Sequence, residues 1–108
     1  MLRLMIVDDE QIIREALSSM IDYTSLGYEV IATAKNGMEA YDRIRDDYPD
    51  VVITDIKMPI LNGLELIERA SRIDSRITFI LLSGYGEFEY AKQAMKYGCL
   101  LYTSDAAD

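Results

Sequence analysis

Short apolar runs alternate along this chain with stretches of helical period, and no other feature constrains the fold as tightly: the pattern is that of an α/β protein with a parallel sheet and helices on both faces. Leu2–Val7 is apolar except for Arg3; Asp8, Asp9 and Glu10 follow, then Ile12, Ile13, Ala16, Leu17, Met20 and Ile21 at helical spacing. That order reads as strand, acidic turn and helix. Tyr28–Ala34 is a β-branched run entered through Gly27, and Asn36-Gly37 leads into a second helix carrying Met38, Ala40, Tyr41 and Ile44. Residues 51–54 are short and wholly apolar but for Thr54, which predicts a central strand covered on both faces and ending at Asp55. Pro59 and Asn62-Gly63 then bend the chain into a helix bearing Leu64, Leu66, Ile67 and Ala70. Residues 77–82 form a fourth strand ending at Ser83, and a helix through Ala91, Ala94 and Met95 closes at Gly98.

Three of these strands end in polar residues that an apolar core would not select: Asp8 and Asp9, Asp55, and Ser83. In an open parallel sheet the carboxyl ends of the strands share one edge, and ligands bind there where the strand order reverses, so these residues are expected to converge. Two carboxylates ~4 Å apart repel by about 4 kcal/mol at an effective dielectric near 20, so a group of three takes up protons or recruits a cation. The chain has no histidine and one cysteine, Cys99, which leaves oxygen as the metal donor and points to magnesium. Taken singly, each residue has an ordinary explanation as a helix-dipole partner or turn former. Their joint placement after three strands does not. The methionines sit at apolar positions and read as core filler.

Composition removes other classes. At 108 residues there is room for one domain, and 50% hydrophobic with 28% charged residues is the balance of a folded globule. A net charge of -8 with no basic cluster argues against direct nucleic-acid binding. One cysteine, no signal-like start and no membrane-length apolar run point to a reducing, cytoplasmic setting without membrane association.

The segments LMIVDDE, VVITDIKMPILNGLELI and FILLSGYGEFEYAKQAMKYG resemble the receiver domain of bacterial two-component response regulators. The resemblance runs from residue 1 to about Gly98. It implies a flavodoxin-like, doubly wound sheet of order 2-1-3-4-5 and a cytoplasmic phosphoacceptor that controls transcription. Asp55 would be the phosphoacceptor, and Asp8 and Asp9 the acidic pair, with Asp9 a direct Mg2+ ligand. The Lys57 backbone carbonyl would complete the protein ligands, and the Ser83 hydroxyl would follow the phosphoryl oxygen. The implied donor is a phosphohistidine on a sensor histidine kinase, with self-catalysed gain and loss of the phosphoryl group. Lys57 and Tyr85 stand where the resembled family tunes the lifetime of the acyl phosphate. The wording of SLGYEVIATAKNG is similar to receivers that precede an AraC-type helix-turn-helix output, and such a full-length parent could form a receiver homodimer.

Residues 99–108 depart from the pattern. Tyr102 falls on the aromatic switch position, but Asp105 stands where the resembled family has its phosphate-binding lysine. The tail also resembles one reading frame of a sequencing-library adapter. The expectation is therefore a partial receiver over 1–98, incomplete at the fifth strand and lacking the fifth helix, followed by a non-native tail. Three rivals remain. A degenerate receiver would bind partners without phosphorylation. An aspartyl-phosphate phosphatase of the haloacid-dehalogenase type would want a second aspartate where Lys57 stands. A flavin module of the same topology would find its phosphate repelled by the acidic turn.

Overall fold

The computed structural model describes residues 1–83, 89, 92, 93, 95–98 and 100–103. Five parallel strands form one sheet in the order β2-β1-β3-β4-β5, as expected: β1 is Leu2–Val7, β2 Tyr28–Ala34, β3 Val51–Asp55, β4 Thr78–Ser83 and β5 Leu100–Thr103. The fifth strand is four residues long, in register with Ile80 through Ser83. Helices α1 (Gln11–Ser19), α2 (Gly37–Asp47) and α3 (Gly63–Ile73) make the crossovers between the first four strands. Among the described residues no helix follows β5. The expected fourth helix falls mainly outside the described residues; Met95–Tyr97 is a 3-10 turn, closed by Gly98 at φ 76°.

Apolar alternation divides the core between the two faces of the sheet. Met5, Val7, Val52, Phe79 and Leu81 point toward α2 and α3, meeting Ala40, Ile44, Leu66, Ile67 and Ala70. Leu4, Ile6, Val51 and Tyr23 form the second cluster, with Leu17, Ile53 and Ile80 packed against it. The two faces are unequally covered. Helix α1 has no buried residue, and Ile12 is 81% exposed.

Helical spacing extends through Met20 and Ile21, but α1 ends at Ser19. The Tyr23 hydroxyl donates to the Leu17 carbonyl at 2.6 Å, drawing the chain under the sheet and leaving Met20 exposed. Arg3, the polar break in β1, lies at the opposite edge from the acidic residues. Its backbone N–H donates to Asp50 Oδ2 at 2.8 Å, and its guanidinium donates to the carbonyls of Asp47 and Tyr48.

Candidate metal and phosphoryl site

The site follows from the strand order. β1 lies between β2 and β3, so crossovers leave it in both directions and a crevice opens between β1 and β3 at their carboxyl ends. Val7 pairs with Thr54, which sets Asp8 opposite Asp55 one residue further on. One oxygen from each of Asp8, Asp9 and Asp55 lies within 4.8 Å of the others, a group that could hold a metal ion.

Two of the three carboxylates, Asp8 and Asp55, are held by local backbone. Asp8 is 3% exposed; its N–H donates to the Ala34 carbonyl at 3.1 Å, and its Oδ1 accepts from the Glu10 N–H at 2.9 Å. Burial pushes the Asp8 carboxyl above its ordinary value; the Glu10 N–H opposes that shift, the charges of Asp9 and Glu10 add to it, and Arg14 opposes it. Asp55 is half-buried, and its Oδ1 accepts from the Ile56 N–H at 2.8 Å. The buried Thr54 hydroxyl donates to the Asp55 carbonyl at 3.0 Å.

The loop after β3 makes the outer wall. Lys57 is exposed and lines an open hollow with Asp9, Ile56, Met58, Pro59 and Asn62. The loop ends in a capping box: Asn62 Oδ1 accepts from the Glu65 N–H, and Glu65 Oε1 accepts from the Asn62 N–H. Ile60 has φ 73° and is 74% exposed. A β-branched residue in the left-handed region stores about 1–3 kcal/mol of strain, and such strain gathers at functional loops. No sequence signal marks it, since that conformation is expected of glycine or asparagine.

Ser83 ends β4, one residue past Leu82, the ladder partner of Asp55; Tyr102 pairs with Leu82 in β5. Their backbones therefore lie along the same edge of the sheet as the carboxylates. Tyr85 and Asp105 lie outside the described residues. No helix among the described residues is long and apolar enough to cross a membrane.

Comparison with known proteins agrees with this architecture. The family described as response regulator receiver domain matches residues 4–104. The uncharacterized transcriptional regulatory protein YesN of Bacillus subtilis is 49% identical over 102 residues, covering 94% of this chain and 28% of its own length. The chain thus spans under a third of that relative. The two component transcriptional regulator AraC from Clostridium phytofermentans superposes with a TM-score of 0.88 at 31% identity, over 96% of this chain and 81% of that one. CheY, in a CheX-CheY-BeF3-Mg2+ complex from Borrelia burgdorferi, gives 0.84 at 26% identity, over 95% and 78%.

Proposed function

We propose, because the chain belongs to the response regulator receiver family, that it is the phosphoacceptor switch of a two-component system, taking a phosphoryl group on Asp55 from a phosphohistidine of a sensor kinase. The convergence of Asp8, Asp9 and Asp55 at the β1/β3 crevice carries this reading. The donor set is oxygen alone and fits Mg2+, the ion present with the structural neighbour CheY. Asp8, Asp9, Asp55 and the backbone carbonyl of Lys57 would hold it. When bound, the ion would neutralise phosphoryl charge and favour in-line transfer.

The chain's own groups supply the rest. An Asp55 carboxylate oxygen forms the new bond to phosphorus while the phosphorus–nitrogen bond of the donor breaks, its electron pair leaving with the imidazole. The Ile56 N–H, 2.8 Å from Oδ1, fixes the carboxylate for that approach. The Ser83 hydroxyl then donates to a phosphoryl oxygen, and Tyr102 reports the change at the β4–β5 edge. The domain is a phosphotransfer substrate that also promotes gain and loss of its own phosphoryl group.

In the parent this switch works in the cytoplasm and controls an AraC-type DNA-binding domain, with homodimerisation through the receiver as one output. We take the receiver unit as residues 1–98, although the family match runs on to residue 104. The charge of -8 keeps this segment itself off nucleic acid. Incubation with acetyl phosphate should label the tryptic peptide containing Asp55 when Mg2+ is present and not when EDTA removes it. Labelling elsewhere, or labelling indifferent to Mg2+, would overturn the proposal. A second reading, a receiver acting without phosphorylation, is favoured by Asp105 standing where the family has a lysine.

A further inference from the structure

Among the described residues three hydrogen bonds hold Asp8, and each comes from a different part of the protein. Its N–H donates to Ala34 of β2, and its Oδ1 accepts from Glu10 in the same turn. Its carbonyl oxygen accepts from Arg14 Nη1 at 2.8 Å, across six residues. The third bond alone comes from a side chain of α1.

Helix α1 needs such a tie more than its neighbours do. Asn36 and Asn62 cap α2 and α3 with their side chains, accepting from Glu39 and Glu65 respectively. The N-cap of α1 is Glu10, whose side chain makes no capping bond, and α1 buries no residue in the core. No side-chain cap fixes where α1 begins, and its packing on the sheet comes later in the helix, through the half-buried Leu17. The turn carrying Asp9 and Glu10 is strung between β1 and this loosely seated helix.

We infer that Arg14 is a positioning residue for the acidic site, clamping the Asp8 carbonyl to α1 and so fixing the turn that aims Asp8 and Asp9 at Asp55. This rests on the metal reading above. Arg14 also carries a positive charge close to the carboxylates, and its two effects have opposite signs. Loss of the charge alone would tighten cation binding, whereas loss of the clamp weakens it because the ligands are no longer pre-arranged.

The opposition makes the test decisive. Mg2+ affinity is measured by calorimetry for the 108-residue chain, Arg14→Met and Arg14→Lys, with amide exchange of the metal-free proteins followed at Glu10 and Glu65. Arg14→Met should bind Mg2+ roughly tenfold more weakly, the usual cost of losing a group that orients a metal ligand. Arg14→Lys, which keeps a cationic donor, should regain most of the affinity. The Glu10 amide should exchange faster in Arg14→Met while the Glu65 amide, capping α3, is unchanged. Unchanged or tighter Mg2+ binding by Arg14→Met, or a Glu10 amide as protected as in the parent chain, overturns the inference. If no form binds Mg2+, the metal reading fails and the Glu10 amide alone decides the role of Arg14. Should Arg14→Met fail to fold, Arg14→Ala removes donor and charge alike and is read in the same way.

Discussion

A side chain placed on Gly63 would overlap the carbonyl oxygen of Asp55, so α3 begins in backbone contact with the end of β3. The Gly63 N–H uses that proximity, donating to the Ile56 carbonyl at 2.7 Å. Gly37 meets Leu61 in the same way, its missing side chain making room for the Leu61 carbonyl. The first residues of two helices thus clamp the loop that walls the site.

Gly63→Ala should therefore cost about 3 kcal/mol, the upper end for overpacking, because backbone and not a flexible side chain must give way. Urea unfolding measures the loss. A change below about 1 kcal/mol would mean that the loop yields freely.

Asp8 gives the stability a defined pH dependence. Its folded carboxyl binds a proton more readily than the unfolded one, so its contribution is fully present below the ordinary value of 3.8 and is lost as pH rises through the raised folded value. At neutral pH, Asp8→Asn should accordingly be more stable than the parent chain, and the difference should shrink as pH falls toward 3.8. Thermal melts across that range check the sign. An advantage for the variant that grows with acidity would contradict it.

The caps make a separable prediction. Asn62→Ala removes the acceptor for the Glu65 N–H and should cost about 1 kcal/mol in chemical denaturation, with Asn36→Ala costing a similar amount. Asn62→Asp should retain most of the stability, since aspartate caps as well as asparagine.

Much of the frame could be read from residue patterns. β1 and β2 begin and end where the apolar runs do, with Asp8 and Asp9 closing the first and Gly27 opening the second. β3 and β4 each run one residue past the apolar stretch, to Asp55 and Ser83, because the ladder continues to the sheet edge. The three aspartates were legible for the same reason: strand ends in a parallel sheet share an edge. The end of α1 was not, since the Tyr23 anchor stops it and not its own spacing. Nor was the Arg14 bond to Asp8, which depends on a long side chain turning back toward the preceding strand.

Under the proposed function, position 105 is where a working switch and a degenerate receiver would differ. Asp105→Lys places a cation where the family has its lysine and should raise the rate of labelling by acetyl phosphate, because it turns repulsion of the phosphoryl group into attraction. Equal rates in the two chains would mean that residue 105 does not reach the site.

The central claim is that Asp55 accepts the phosphoryl group, and intact-mass spectrometry after incubation with acetyl phosphate and Mg2+ tests it directly. The parent chain, or the Asp105→Lys form if the parent reacts too slowly, should gain the mass of one phosphoryl group. Asp55→Asn should gain none while unfolding as cooperatively as the parent. A phosphoryl adduct that persists in Asp55→Asn, or its absence from both Asp55-containing chains, would contradict the account.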